Sequence, residues 1–315
     1  MNLIALQNLV ERTFVSYVEY HPQIDSTNNR ARRIALGEEP LRGHENPTAE
    51  SLRKALPCLI VADRQLAGRG RGTNRWWTGP GSLAMTLLLP PLEHWQELFN
   101  APPGAVMPSA KAHPGLIGLA AALAVVQTVR PRLPQIPLGL HWPNDVFAGG
   151  KKLAGILVEI LASGLVVVGI GGNLNNTAQQ APPELQHRVT TLRDLTGQTH
   201  SVEDFLLDLL GHLEKLFQTF LEHPEKVAQD AHHACLQKGH PLKVLIPVGA
   251  PTCQGNLPPH IDEKPPREQE NQGGQYPSSD GFLLLEGLCE GIGPQGELLL
   301  QIPKGLRRVF SGSIV

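Results

Sequence analysis

Cysteine is scarce and scattered: the 315-residue chain holds Cys58, Cys235, Cys253 and Cys289, with no C-x-x-C pair. Such spacing excludes a zinc knuckle and a disulfide framework and suits a reducing cytoplasm. Neither sign of charge is in excess. Lys and Arg total 27 against 29 Asp and Glu, a formal net charge of −2. That balance argues against a general attraction to nucleic acid or anionic lipid and confines any phosphate site to a local feature. Long hydrophobic runs are also missing, since no uninterrupted apolar stretch approaches the roughly 18 residues of a membrane span. The opening MNLIALQNLVERTF has no basic leader, no long apolar stretch and no small-residue cleavage site. The expectation is a cytoplasmic protein with no membrane and no nucleic-acid partner.

What is present is enough apolar material for a core, 41% hydrophobic against 18% charged, which suits one domain of moderate size with a smaller appendage. Short runs rich in Leu, Ile and Val at 58–63, 82–89, 153–160 and 164–170 predict buried strands. The stretch from Gly115 to Arg130, apolar on nearly every side and closed by Pro131, predicts a deeply packed helix. Asp25 or Ser26 is placed to cap another helix through Ala35, by accepting a free N–H of the first turn. After Ser201, apolar residues from Val202 to Phe217 recur at helical spacing, predicting an amphipathic helix that closes the main domain. From Leu242 short strand patterns return, as in a small β-barrel-like C-terminal domain. The Pro-, Gly-, Gln- and Glu-rich stretch at about 251–280 reads as a flexible insertion. Leu36 to Pro57 and Pro90 to Pro114 read as polar or Pro-rich surface loops.

Three clusters carry chemistry. The first runs from Gln65 through Gly68-Arg69-Gly70-Arg71-Gly72 to Trp76-Trp77. Alternating Gly and Arg lets backbone approach an anion while forked guanidinium groups neutralise it. A solvated basic loop is the plain alternative, but two adjacent tryptophans give such a loop more apolar area than it needs. It is neither a Walker phosphate loop, lacking G-K-[ST], nor a dinucleotide fingerprint, because Thr73 stands where the third glycine would fall. The second cluster is His141-Trp142-Pro143-Asn144-Asp145, followed by Lys151-Lys152 and Gly155 up to Glu159. Pro-Asn-Asp marks a turn. The same residue types would serve an ATP site, with Asn and Asp oxygens near Mg²⁺ and a lysine near phosphate. The third, Gly169-Ile-Gly171-Gly172-Asn173, reads by itself as a tight turn after a buried strand.

With Asp25-Ser26-Thr27-Asn28 ahead of them, these clusters resemble, in this order, the biotin-protein ligase family from about Val18 to the C-terminus. The resemblance implies an α+β fold: a mixed sheet flanked by helices, akin to class II aminoacyl-tRNA synthetases and lipoate ligases, with a small SH3-like β-barrel C-terminal domain. Residues 1–238 would form the biotin- and ATP-binding catalytic domain and 239–315 the smaller one. The implied reaction makes biotinyl-adenylate from biotin and Mg-ATP, then transfers biotin to a lysine on the biotin carboxyl carrier domain of a carboxylase. By position Ser26, Thr27, Asn28, Gln65, Gly68, Arg69, Gly70, Arg71, Lys152 and Gly155 would hold biotin. Arg71, Trp76, Asn144, Asp145 and Asn173 would serve the adenylate or ATP, with Arg71 and Lys152 catalytic. No protein ligand set for a metal is assigned. The Gly-Arg loop would fold over the adenylate.

Two departures bear on ATP handling. The loop continues Gly72-Thr73-Asn74 where bacterial members commonly have R-G-R, removing positive charge near the phosphates, and His141 replaces the usual lysine before Trp142. Only 25 residues precede Ser26, too few for the helix-turn-helix domain of repressor-type members, so a form without that domain is expected. A homodimer is compatible. The rival readings are a lipoate or octanoate ligase of the same fold and a biotin-responsive binding protein without enzymatic activity.

Overall fold

A computed structural model describes residues 3–43, 49–102, 114–247, 252–254, 275–277 and 281–315. Its first sheet is built from β1 (Tyr17–His21), β2 (Cys58–Ala62), β3 (Leu83–Leu89), β4 (Leu138–His141), β5 (Asp145–Ala148), β6 (Lys151–Ile160) and β7 (Val166–Gly172). The strand order is β1-β2-β3-β7-β6-β5-β4. β1 runs parallel to β2 and the other pairs are antiparallel, which is the expected mixed sheet.

The helices are α1 (Leu3–Arg12), α2 (Thr27–Ala35), α3 (Ala49–Ala55), α4 (Trp95–Leu98), α5 (Pro114–Val129), α6 (Pro183–Gln186), α7 (Leu192–Thr196), α8 (Val202–Glu222) and α9 (Pro224–Ala234). β2 and β3 are buried at every position, because alternate residues serve two different layers. Leu59, Val61, Met85, Leu87 and Val168 join the large core with α5 and α8. Cys58, Ile60, Leu88 and Val167 face the other way and pack with Ala31 and Ile34 of α2. Thr27 and Asn28, at the start of α2, lie on this second, thinner side.

A second, antiparallel sheet occupies the C-terminal region: β8 (Pro241–Pro247), β9 (Thr252–Gln254), β10 (Gln275–Pro277), β11 (Phe282–Ile292), β12 (Leu298–Ile302), β13 (Gly305–Val309) and β14 (Ser313–Ile314). Its order is β14-β8-β11-β12-β13-β9, with β10 on β11. The large core continues into it through Val244, Ile246, Leu285 and Leu298.

Four expectations change. Pro90 to Pro114 is not simply a surface loop: α4 buries Trp95, whose ring lies 5.4 Å from Phe99 and 5.0 Å from Phe217. An aromatic pair at i and i+4 is a helical signal that the flanking prolines mask. Residues 103–113 lie outside the described residues. Likewise 36–57 contains α3, with 44–48 outside the described residues. α8 begins as expected, Ser201 Oγ accepting the Asp204 N–H at 3.2 Å, but it does not end the helical layer, since α9 follows and packs on α5 and β11. Finally, the stretch at 251–280 contributes β9, paired with β13, and β10, paired with β11. The expectation of flexibility for its remainder, including 255–274, falls outside the described residues.

Candidate active site

The floor of the site starts at the N-terminus of α2. Ser26 is the N-cap, yet its side chain makes no cap hydrogen bond. The Thr27 N–H is taken instead by Gln65 Oε1 at 2.8 Å, and the Thr27 hydroxyl lies 3.1 Å from the same oxygen. Gln65 reaches there because the chain after β2 keeps pairing with the chain after β1: the Leu66 N–H donates to Ile24 O at 2.9 Å and the Ala67 N–H to Asp25 O at 2.8 Å. A side-chain cap from another segment satisfies the helix end equally well, and ties the S-T-N element to the Gly-Arg loop. Asp25 is engaged elsewhere. Burial raises its carboxyl pKa, but hydrogen bonds from Arg33, Asn29 and the Ser26 N–H outweigh burial and hold it at about 2.

Beneath α2 lies Thr86, fully buried on β3, its hydroxyl 2.8 Å from both the Thr27 hydroxyl and Asn28 Oδ1. Asn28 Nδ2 donates to Glu159 Oε2 at 3.3 Å. Glu159 also receives Arg69 in a fork at 3.1 and 3.2 Å, and Arg32 at 2.8 Å. One continuous polar network therefore runs from Gln65 to Arg69. Inside a protein such a network is stiff when every member is satisfied and costly when one is removed.

Gly169, Gly171 and Gly155 serve close approach. Gly169 and Gly171 lie inside β7, so the tight-turn reading does not hold for them. A Cβ at Gly169 would stand 1.9 Å from Asn28 Oδ1, and one at Gly171 2.4 Å from Trp76 Cε2. Gly155 pairs with Gly171 across β6 and β7, and a Cβ there would come 3.1 Å from Trp76 Cζ3. The two facing glycines form a shelf on which the Trp76 indole rests. Its Nε1–H is buried with no acceptor among the described residues.

The loop carrying Trp76 folds on itself: Gly70 N–H to Asn74 O at 2.8 Å, Asn74 N–H to Arg71 O at 3.1 Å, and Trp76 N–H to Gly68 O at 2.9 Å. A Cβ at Gly68 would stand 2.4 Å from Trp76 O, so that glycine closes the loop base. Arg71 extends towards the C-terminal sheet and donates to Gly312 O at 3.2 Å. Burial lowers the proton affinity of its guanidinium, and the Asp145 carboxylate opposes that shift.

The turn between β4 and β5 carries W-P-N-D. Trp142 is structural, donating from Nε1 to Gly296 O at 3.0 Å, while its backbone N–H donates to Gln237 Oε1 at 2.7 Å. The Asn144 carboxamide donates to Ile156 O, and the Ile156 N–H donates to Asn144 O at 2.9 Å. That double tie holds the turn against β6. Asp145 thereby meets Lys152 Nζ at 2.6 Å, and the ammonium also lies 5.5 Å from the centre of the Trp76 ring. His141 stacks on Phe147 with centroids 4.2 Å apart, its pKa lowered by burial first and also by Lys152. It is a neutral packing group.

These groups surround one cleft of about 760 Å³, within the usual range for small-molecule sites. Ser26, Thr27, Asn28, Gln65, Arg69, Gly70, Arg71, Trp76, Asn144, Asp145, Lys152 and Gly155 all line it. Gly68 and Asn173 do not line it. Asn173 is buried behind β6, its N–H donating to Leu153 O at 2.9 Å and its Oδ1 accepting from Asn176 at 3.0 Å. Sequence reasoning missed Thr86, although a lone polar residue in the run Leu83–Leu89 was a visible signal. It also missed Arg188 and the rim from Ser311 to Ile314, for which no local pattern exists.

Residues 48–173 match the biotin/lipoate A/B protein ligase family, the class of protein that this sheet and cleft define. The biotin–[acetyl-CoA-carboxylase] ligase of Paracoccus denitrificans is 36% identical over 194 residues, 59% of this chain and 67% of that protein. The bifunctional ligase/repressor BirA of Bacillus subtilis is 27% identical over 302 residues, 94% of this chain and 72% of its own length. In fold, the chain is similar to the biotin protein ligase of Aquifex aeolicus solved with biotin and ATP, with a TM-score of 0.64, 22% identity, and 95% and 98% of the two chains covered. The chain belongs to the biotin protein ligase family.

Proposed function

We propose that the protein activates biotin with ATP and attaches it to a lysine of a carboxylase carrier domain. The observation that carries this reading is the single cleft in which the satisfied Gln65–Thr27–Thr86–Asn28 floor meets a cationic, aromatic end made by Arg71, Trp76 and Lys152. The relatives' names supply the reaction class. The floor offers fixed amide and hydroxyl groups to the polar head of biotin, and the cationic end receives its carboxylate and the α-phosphate.

In the first step a biotin carboxylate oxygen attacks the α-phosphorus, the bond to the β-phosphate oxygen breaks, and pyrophosphate leaves with the electron pair. In the second the carrier amine attacks the acyl carbon, loses a proton, and AMP departs. Negative charge builds on oxygen in both. Lys152, held by Asp145, and Arg71, held by Gly312, are pre-aimed donors; removing one such donor typically costs about 3 kcal/mol in barrier. Arg69, forked onto a Glu159 that it shares with Arg32, enters the site with its charge partly countered and works by positioning. Among the described residues no group of three or more His, Cys, Asp or Glu could hold a metal. A Mg²⁺ carried by the triphosphate would supply charge neutralisation there, and Asp145 and Asn144 would be the residues offering it oxygens.

A cytosolic location suits this reading, since Cys58, Cys235 and Cys289 are free thiols, and no helix among the described residues is long and apolar enough to cross a membrane. The test is a mass measurement on a carboxylase carrier domain incubated with protein, biotin and Mg-ATP. One biotinyl addition, absent when octanoate or lipoate replaces biotin, is expected. An unmodified carrier, or modification by lipoate alone, overturns it.

A further inference from the structure

The adenylation step expels a polyanion, and three cations of the Gly-Arg loop and β6 are committed elsewhere, while Arg75, which also lines the cleft, is exposed with no ion pair among the described residues. Arg69 is countered by Glu159 and Lys152 by Asp145 at 2.6 Å. The half-buried Arg71 is tied to Gly312, near the α-phosphate end. Positions 73 and 74 are Thr and Asn, so the loop tip itself adds no charge beyond Arg75.

Arg188 lines the same cleft from a different segment, between α6 and α7. It is exposed, and no ion pair holds it among the described residues. Its backbone is nevertheless fixed: Arg188 O accepts the Lys152 N–H at 3.0 Å, and the Arg188 N–H donates to Leu185 O at 2.9 Å. Val189 forms a parallel bridge with Lys152, and the Thr190 N–H donates to Lys152 O at 3.0 Å. A free guanidinium is thus anchored one backbone hydrogen bond from Lys152, at the rim rather than the floor.

We propose that Arg188 binds the β- and γ-phosphates of ATP and so receives the departing pyrophosphate. Two reasons favour it. A planar fork of donors matches two phosphate oxygens, and a group unpaired in the free protein gives up no ion pair when the polyanion arrives. Its place at the solvent rim suits a leaving group that must move outward while the adenylate stays buried.

The assignment rests on the ligase reading above, and the experiment separates the two. Wild type, Arg188→Ala, Arg188→Lys and the neighbouring His187→Ala, whose side chain does not line the cleft, are compared in three assays. These are biotin-dependent pyrophosphate–ATP exchange, biotin transfer from supplied biotinyl-adenylate, and direct titration with inorganic pyrophosphate. Arg188→Ala should raise the half-saturating ATP and pyrophosphate concentrations roughly ten- to a hundredfold. Arg188→Lys should recover part of the loss, and the half-saturating biotin concentration and transfer from supplied adenylate should stay within about twofold of wild type. Unchanged ATP and pyrophosphate dependence overturns the assignment, as does an equal loss in exchange and in transfer, which would mark a structural role. Should wild type form no biotinyl-adenylate, the ligase reading fails. The pyrophosphate titration then still judges Arg188, because it requires no biotin.

Discussion

Thr86→Val is the sharpest probe of how the site is held. Thr86 is 0% exposed, and its hydroxyl contacts Thr27 and Asn28 at 2.8 Å each. Valine keeps the shape and the strand preference but leaves Asn28 Oδ1 without its donor. A buried acceptor stranded in this way costs about 1 to 3 kcal/mol, which for a chain of this size lowers Tm by roughly 2 to 6 °C. Function should respond more selectively. Thr27 and Asn28 lose their common anchor, so biotin affinity should fall about tenfold, equivalent to about 1.4 kcal/mol, while the half-saturating ATP concentration stays near wild type. Thr86→Ser keeps the hydroxyl and should retain biotin affinity despite losing a methyl group. Calorimetric titration with biotin and a thermal melt read both effects. A Thr86→Val protein that melts lower but binds biotin as tightly as wild type would refute the idea that this network shapes the biotin end.

Lys152→Ala should cut biotin-dependent pyrophosphate release about a hundredfold and change stability by about 1 kcal/mol or less, since the Lys152–Asp145 pair is partly hydrated, with side chains 31% and 21% exposed. Release at the wild-type rate would remove Lys152 from the chemistry. Gly171→Ala should push Trp76 off its shelf, because the new Cβ would stand 2.4 Å from the indole. A loss of about 1 to 3 kcal/mol and a shift in tryptophan emission should follow, and unaltered emission would show that the indole lies elsewhere. Asp25 provides a pH test: its carboxyl is held at about 2, below the roughly 3.9 of an unfolded chain. Its stabilisation is therefore present above about pH 4 and is lost as pH falls through about 2. Partial exposure keeps the effect small. Arg33→Ala should flatten the acid limb of a stability–pH curve in that window, and an identical limb in both proteins would show that the pair contributes nothing there.

Four strands of the first sheet were legible: β2, β3 and most of β7 are buried on both faces and read as unbroken apolar runs, and half-buried β6 is apolar along most of its length. β1, β4 and β5 were not. β1 (Tyr17–His21) mixes Glu and His with Tyr and Val, because its charged residues are absorbed by partners distant in sequence: Glu19 accepts Arg30 at 2.7 and 2.9 Å. Periodicity registers where side chains meet water or core, and a buried ion pair scrambles that signal. Trp95 and Phe99 were concealed differently, by prolines on either side that suggested an open loop although the aromatics close the core below α8.

The same logic explains which parts of the site could be read. Residues that shape the cleft through local geometry announce themselves as motifs, since the indole shelf excludes any Cβ at 171, 2.4 Å from Trp76, and leaves only tight room for one at 155, 3.1 Å from it. Charge is harder to read, because what matters is what remains after pairing. Arg69 and Lys152 look equivalent to Arg71 in the sequence, yet the first two lie in ion pairs, with Glu159 and Asp145, while Arg71 hydrogen-bonds the Gly312 carbonyl between β13 and β14 and feels Asp145 only through space. Glu159 lies 90 residues beyond Arg69 and Gly312 lies 241 beyond Arg71, so no window of sequence could balance those charges. The near-zero net charge of the whole chain is therefore compatible with a strongly anion-seeking cleft. On the proposed reading its field comes chiefly from Arg71, Arg75 and Arg188, to which Lys152 and Arg69 add charge that neighbouring carboxylates only partly counter.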